Sequence, residues 1–241
     1  MKAILYGVPG SHPVKTAELM LRYKGIAYSR RDLPNMTHKH LLRAMGYGVV
    51  TVPVLKLEGK RVTTTRRIAR ALEAAVPEPA ILPVDEALET WADDDLQDCV
   101  RQLARWSSVR DKNAMATFVE GARLGLPEGV VRASLPLIKP TVKMQMKVSD
   151  ELARACAQAL PGHLDRVDAL LADGTIGGEH PNALDFQIAP SVRLAMCFDQ
   201  LRDGIASRPA GGHAVRVCHD YPGRFRDVIP REWLDARLVA A

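Results

Sequence analysis

Cysteine is scarce in this chain, and none occurs before Cys99. No two cysteines have the Cys-x-x-Cys spacing that dithiol redox centres and many zinc sites use. Dithiol–disulfide exchange near the N-terminus is therefore excluded, and we interpret the cysteines as small core residues. They are Cys99, Cys156, Cys197 and Cys218.

The chain also lacks a long hydrophobic run. No apolar stretch approaches the roughly 20 residues needed to span a bilayer. A strand-like run begins at Ala3, in place of the basic, apolar and cleavable segments of a secretory leader. These features predict a cytoplasmic protein with no membrane partner.

Charged and metal-binding residues are not concentrated in one segment. The 241 residues carry a net charge of +5, but the basic residues are interspersed with acidic ones. The sequence therefore predicts no nucleic-acid partner, and its positive balance suits a small anionic ligand. His38 and His40 have neither a cysteine nor a carboxylate close by in the sequence, so we predict a solvated basic loop there and no metal site.

Aromatic residues make up only 5% of the chain, while Ala, Leu, Val and Arg are abundant, which favours a mainly helical protein with a small sheet.

Pro53 lies at the start of an apolar strand, and a hairpin-like segment follows it. Proline cannot donate to a sheet ladder, so it belongs at the start or edge of a strand. Together with a strand at 3–6 and helices at 14–23 and 66–75, this predicts the order strand, helix, strand, helix, strand, strand, helix.

A proline-rich connector follows this first part of the chain, and its composition resists both helix and sheet. We therefore predict a first domain over 1–76, a linker over 77–84 and an all-helical second domain over 85–241.

Apolar residues recur at helical spacing in the second domain. This spacing predicts helices at 85–110, 131–146 and 150–172, with a break at 124–129. Asn182 and Asp185 have the spacing of a capping box for a helix that starts at Ala183, which is a folding signal and not a catalytic one.

Four features occur together: this order of elements, Ser11 in the first loop, Val52-Pro53 at the third strand, and the capping motif at 181–186. In this combination the chain resembles the glutathione transferases over nearly its whole length. The resemblance implies an α/β thioredoxin-like N-terminal domain followed by an all-α C-terminal domain. It also implies a cis bond between Val52 and Pro53, and a homodimer.

Ser11 precedes a helix, so its hydroxyl is predicted to cap the first turn. In serine-type glutathione transferases, a serine at this place donates a hydrogen bond to the bound thiol, and the resemblance implies that catalytic role for Ser11. The neighbouring His12 is implied as a ligand contact. Tyr6 lies close to the hydroxyl of the tyrosine-type enzymes, but we interpret it as a packing residue of the strand.

The resemblance implies further contacts to glutathione, or to another small thiol, from Val52, Pro53, Thr64 and Thr65. Val52 would pair its backbone with the cysteinyl part, and Thr65 would cap the next helix and bind a carboxylate. Thr64 stands where the family usually has an acid that binds the ammonium group. This departure weakens the case for glutathione itself.

The resemblance therefore implies a transferase that conjugates a low-molecular-weight thiol to an apolar electrophile. Isomerisation or dehalogenation with the thiol as cofactor would use the same residues. The alternative is a non-catalytic ligand-binding or interaction protein that kept this architecture and lost the thiol chemistry. Thr64 favours the non-catalytic protein, whereas Ser11 and the Val52-Pro53 segment favour the transferase.

Overall fold

The structure is a computed structural model, and it describes residues 1–34, 38–48, 51–111, 113–123 and 148–239. The helix predicted at 131–146 and the break at 124–129 lie outside these residues. Within them the chain begins with a sheet and its flanking helices, and only helices and irregular segments follow.

A four-stranded mixed sheet forms the first part of the molecule. Its order is β2-β1-β3-β4, with β1 parallel to β2 and antiparallel to β3, and β3 antiparallel to β4. The strands are β1 (Ala3–Gly7), β2 (Tyr28–Asp32), β3 (Val54–Leu57) and β4 (Lys60–Thr63). The helices of this part are α1 (His12–Tyr23), α2 (His38–Ala44) and α3 (Thr65–Ala75).

This order of elements confirms the predicted one. The peptide bond between Val52 and Pro53 is cis, as the resemblance implied, and two further cis bonds precede Pro79 and Pro83 in the connector.

In the second part the described residues form helices joined by irregular segments, with one isolated β-bridge between Phe198 and Phe225. It contains α4 (Glu86–Thr90), a π-helical segment (Trp91–Leu96), α5 (Gln97–Arg110), α6 (Ala114–Phe118), α7 (Asp150–Ala172), α8 (Ala183–Ala195), α9 (Asp199–Ala206) and α10 (Pro209–Val217), and a 3₁₀ turn at Arg231–Trp233. The α/β thioredoxin-like fold followed by an all-α region is thereby confirmed.

The helix predicted at 85–110 is present, but it is not uniform. The π-helical segment interrupts it, yet apolar residues within and after the interruption are buried as the spacing predicts: Trp91, Leu96, Val100, Leu103 and Trp106.

The centre of the molecule is α8. Twelve of its thirteen residues are buried, and it packs against α1 of the first part and against α5 and α10 of the second. The capping box predicted at its N-terminus is present, with both the Asn182 and the Asp185 hydrogen bonds formed. One hydrophobic core therefore runs from the sheet through α1 into the helical region.

Candidate functional site

Three segments meet at one edge of the sheet. Tyr6 near the end of β1 pairs with Val54 at the start of β3, and Val54 pairs with Thr63 at the end of β4. The β1–α1 loop, the cis-proline segment and the N-terminus of α3 therefore lie side by side. The structure brings together the segments that hold the predicted site residues Ser11, His12, Val52, Pro53, Thr64 and Thr65.

Ser11 occupies the N-cap position of α1, but its hydroxyl does not cap the helix. The predicted bond from a first-turn amide to this hydroxyl is absent, so that prediction was wrong. The backbone of Ser11 makes the local contacts instead: its N–H donates to the Val8 carbonyl at 3.3 Å, and its carbonyl accepts from Lys15 at 3.0 Å. The partly buried hydroxyl is left at the positive end of the helix dipole, at a position where it can donate to an anion.

His12 begins α1 and is buried, with 4% of its surface exposed. Burial, followed by the positive charge of Arg101, lowers the pKa of His12 to about 3, whereas the backbone of Gln97 acts in the opposite direction. Its Nε2 atom has no hydrogen-bond partner among the described residues. His12 is therefore a neutral imidazole at neutral pH, buried in the first turn of α1 near Gln97 of α5.

Val52 presents backbone groups that no other part of the described backbone uses. Neither its N–H nor its carbonyl forms a backbone hydrogen bond within the described residues, while Pro53 beside it is buried. An extended peptide-like ligand can therefore pair with Val52.

Tyr6 on β1 makes an edge-on ring contact with Tyr47 at 5.9 Å between ring centroids, as expected of a packing residue.

Thr64 has an unusual backbone conformation. Its φ of 68° and ψ of 147° lie in a region that is almost confined to glycine, and a β-branched side chain there is a clear outlier. Thr64 is also the N-cap of α3, because its hydroxyl accepts from the Arg67 N–H at 3.4 Å. Such strained positions persist where the surrounding structure holds them, often at binding sites.

Thr65 is not the cap that the sequence predicted. It is the first residue of α3 and is buried, and its hydroxyl donates to the Asp93 carboxylate at 3.3 Å. The Thr65 hydroxyl is therefore already engaged, although the N–H groups of Thr65 and Arg66 form no backbone hydrogen bond in the described chain. Those two amides, at the N-terminus of an 11-residue helix, remain suited to a carboxylate.

Asp93 in the π-helical segment contacts residues near both helix N-termini of the site. Its carboxylate pairs with Arg66 of α3 at 3.1 Å and accepts a hydrogen bond from Gln97 Nε2 at 2.8 Å. Gln97 in turn lies near His12 of α1. Burial raises the pKa of Asp93, and the charge of Arg66 opposes that rise. Sequence reasoning missed Asp93 because it lies in an acidic run opposite the apolar stripe, which is typical of a solvated face.

The β1–α1 loop is covered by residues distant in sequence. The Tyr221 hydroxyl donates to the Gly10 carbonyl at 2.8 Å, and Phe118 at the end of α6 lies against the same glycine. A Cβ at Gly10 would stand 2.8 Å from Phe118 Cδ1, and one at Gly223 would stand 2.1 Å from Phe118 Cε1. Both glycines have positive φ, so these positions require glycine for space and for conformation.

Within the described ranges, no three histidine, cysteine, aspartate or glutamate side chains lie close enough together to hold a metal ion. All four cysteines are buried free thiols. The convergent groups of this edge are backbone amides, hydroxyls and guanidinium groups, which are donors suited to a small anionic or peptide-like ligand.

The fold is thioredoxin-like over the sheet and its flanking helices, and a helical region follows it. Residues 5–80 match the family model of the glutathione S-transferase N-terminal domain. The match covers the sheet and helices α1 to α3, and it identifies this part of the chain as a glutathione S-transferase N-terminal domain.

Solved structures with the same fold come from several organisms. A GST-like protein from Pseudomonas syringae is 22% identical, with a TM-score of 0.55 over 93% of this chain and 68% of its own. The beta-etherase LigF from Sphingobium sp. strain SYK-6 is 16% identical, with a TM-score of 0.58 over 90% and 99%. A glutathione S-transferase of Ceriporiopsis subvermispora, solved in complex with glutathione, is 15% identical, with a TM-score of 0.54 over 91% and 97%.

At these identities the likeness establishes the fold alone. A search of curated protein sequences finds no match to this chain. No helix in the described part of the chain is both long and apolar enough to cross a membrane.

Proposed function

We propose that this protein transfers a low-molecular-weight thiol, glutathione or an analogue, to an apolar electrophile. In the reaction the thiolate sulfur forms a bond to the electrophilic carbon, the leaving group departs with its electron pair, and the thiol proton passes to solvent. Ser11 would donate a hydrogen bond to the thiolate. The rate advantage would come from a larger thiolate fraction at neutral pH and from its orientation toward the electrophile.

The observation that carries this proposal is the unused hydroxyl of Ser11. A serine at a helix N-cap ordinarily accepts a bond from the first turn, and the Ser11 hydroxyl does not. It remains free to donate, next to the positive end of the α1 dipole, where a negatively charged sulfur is stabilised.

Two neighbouring features support a peptide-like thiol. The open backbone of Val52 suits antiparallel pairing with the ligand, and the free amides of Thr65 and Arg66 suit its terminal carboxylate. The strained backbone of Thr64 fits a segment held in place for binding. His12 and Pro53 would shape the floor of this site.

A non-catalytic binding protein is the second candidate, and a specific observation favours it. Thr64 cannot pair with a ligand ammonium group as an acid would, and the Thr65 hydroxyl is occupied by Asp93. A ligand of another kind, or none, would then use the edge. Isomerisation and dehalogenation with a thiol cofactor remain variants of the first candidate.

Thermal unfolding with glutathione and other small thiols tests binding, because a ligand of the native state raises its melting temperature. Turnover of a chlorodinitrobenzene then tests catalysis. In Ser11→Ala we expect turnover to fall about ten-fold and the pKa seen in the pH profile of kcat/KM to rise by about one unit. A wild-type protein that binds no thiol and shows no turnover would establish the non-catalytic alternative.

We also propose a cytoplasmic homodimer with the domain limits 1–76, 77–84 and 85–241. The dimer rests on the superfamily resemblance alone. Light scattering at micromolar concentration measures it, and a monomer would remove the proposal.

A further inference from the structure

Hydrogen bonds hold the peptide group that precedes the Ser11 side chain on both of its edges. This group consists of the Gly10 carbonyl and the Ser11 N–H. The Tyr221 hydroxyl donates to the carbonyl at 2.8 Å, and the N–H donates to the Val8 carbonyl at 3.3 Å. Because a peptide group is planar, these two bonds fix its orientation, and with it the bond from the Ser11 nitrogen to its Cα atom.

The Ser11 side chain has no anchor of its own. Its hydroxyl accepts no hydrogen bond from the first turn of α1, so the backbone that carries it decides where it points. Val8 belongs to the same loop and would move with it. Tyr221 therefore supplies the hydrogen bond that fixes this peptide group relative to the helical region.

The segment that carries Tyr221 is itself bonded to the helical region four residues further on. The Phe225 N–H donates to the Cys197 carbonyl at 2.8 Å, and the Phe225 carbonyl accepts from the Asp199 N–H at 2.9 Å. The Phe225 ring stacks on Phe198 at 4.4 Å between ring centroids. Tyr221 thus lies on a segment whose own position is fixed.

Packing and protonation keep the Tyr221 hydroxyl a donor to the loop. Phe118 lies against Gly10 and also against Gly223, two residues after Tyr221, so the loop and the segment share one packing partner. Burial raises the pKa of Tyr221 well above its ordinary value. The phenol therefore stays protonated at any pH at which a thiol ordinarily titrates.

We infer that Tyr221 is a positioning residue for Ser11, because its hydrogen bond to the Gly10 carbonyl aims the Ser11 hydroxyl at the place where the thiolate binds. The inference rests on the proposed function for the thiolate, but the orientation of residue 11 does not depend on turnover. It gives the segment after α10 a part in the reaction without any contact to the reacting atoms.

A thiol introduced at position 11 measures this orientation. In Ser11→Cys the new thiol lies at the N-terminus of a 12-residue helix, so we expect its pKa to lie below the ordinary value. The pH dependence of its reaction with iodoacetamide gives this pKa, after subtraction of the rate of the wild type, whose cysteines are all buried. Adding Tyr221→Phe should raise the pKa by about one unit, because the effect of the dipole falls off within the first turn.

Tyr28→Phe is the matched control. Tyr28 is also a partly buried tyrosine, and its hydroxyl donates to Glu18 of α1 at 3.0 Å and accepts from Arg22 at 3.3 Å. Its loss affects the same helix away from the first turn, so the pKa at position 11 should not change. A merely structural role of Tyr221 predicts the same result for both replacements. No shift with Tyr221→Phe, or equal shifts with both, overturns the inference.

Turnover of chlorodinitrobenzene with glutathione gives an independent readout. Tyr221→Phe should lower kcat/KM about three-fold, less than Ser11→Ala, and raise the pKa seen in its pH profile. Tyr28→Phe should change neither. When Ser11→Ala is already present, Tyr221→Phe should not move that pKa further, because both changes act through one hydroxyl. A shift as large as the one seen with Ser11 present overturns the inference.

Failure of the proposed function gives a different result. If the wild type neither binds a thiol nor turns over the electrophile, thiol transfer is refuted. The Ser11→Cys measurement then decides alone whether Tyr221 orients residue 11: a raised pKa with Tyr221→Phe supports it, and an unchanged pKa refutes it.

Discussion

The Ser149 hydroxyl accepts a 3.1 Å hydrogen bond from the Leu152 N–H at the start of α7, which is the bond that Ser11 lacks at the start of α1. We therefore expect Ser149→Ala to lower the free energy of unfolding by about 1 kcal/mol and Ser11→Ala to change it by less than about 0.5 kcal/mol. Urea denaturation of both variants measures the difference. Equal losses would mean that Ser11 caps its helix in solution.

Asp185 supports more than one backbone group. Its carboxylate accepts from the Asn182 N–H at 2.8 Å and from the Gly177 N–H at 2.7 Å, and it is 1% exposed. Because Asp185→Ala leaves both amides without a partner, we expect a loss of about 3 kcal/mol in unfolding free energy. Asp85→Ala, which removes an exposed cap, should cost about 1 kcal/mol. Chemical denaturation compares the two, and similar losses would contradict the double role.

Arg70 and Glu89 form a two-point ion pair between α3 and α4, with distances of 3.0 and 2.6 Å. The Glu89 side chain is 1% exposed, whereas that of Arg70 is 42% exposed. Arg70→Met should therefore cost about 3 kcal/mol, since it leaves a buried carboxylate unpaired. Glu89→Gln should cost about 1 kcal/mol, because the guanidinium group can be hydrated. Equal costs in a thermal or chemical melt would show that the pair is not asymmetric.

His12 should make stability depend on pH. Its pKa of about 3 in the folded state lies below its value of 6.5 in the unfolded state. As the pH falls from 6.5 to 3, the unfolded chain binds a proton at His12 and the folded chain does not, so the free energy of unfolding decreases. At pH 5 this difference is worth about 2 kcal/mol relative to pH 7.5.

We expect the wild type to lose about that much more unfolding free energy than His12→Gln between these two pH values. The His180→Gln variant serves as the control, because His180 is exposed to solvent. Parallel pH curves for the wild type and His12→Gln would show that His12 is not buried as a neutral group.

Much of the fold could be predicted because its signals are local. Pro53 marks a strand start, the Asn182–Asp185 spacing marks a helix start, and apolar residues recur at helical intervals; each of these depends on residues only a few positions apart. The candidate loops could be predicted for the same reason, since they follow directly from the order of the elements.

The contacts between the loops could not be predicted in this way. Thr65 and Asp93 are 28 positions apart, and their bond depends on how the helical region docks on the sheet. The π-helical segment at Trp91–Leu96 lies inside a stretch whose apolar spacing predicts one regular helix, so the sequence pattern gives no sign of it. Thr64 adopts a backbone conformation that its β-branched side chain disfavours, so propensity argues against the observed geometry.

The hydrogen bond between Tyr221 and Gly10 also sets an order of events during synthesis. The two residues are 211 positions apart, so at about 5–20 residues per second a ribosome makes the second about 10–40 s after the first. The β1–α1 loop therefore emerges long before the tyrosine that holds its carbonyl. A nascent chain can form the sheet early, but the Gly10 carbonyl gains this hydrogen-bond partner only after the segment that carries Tyr221 has left the ribosome.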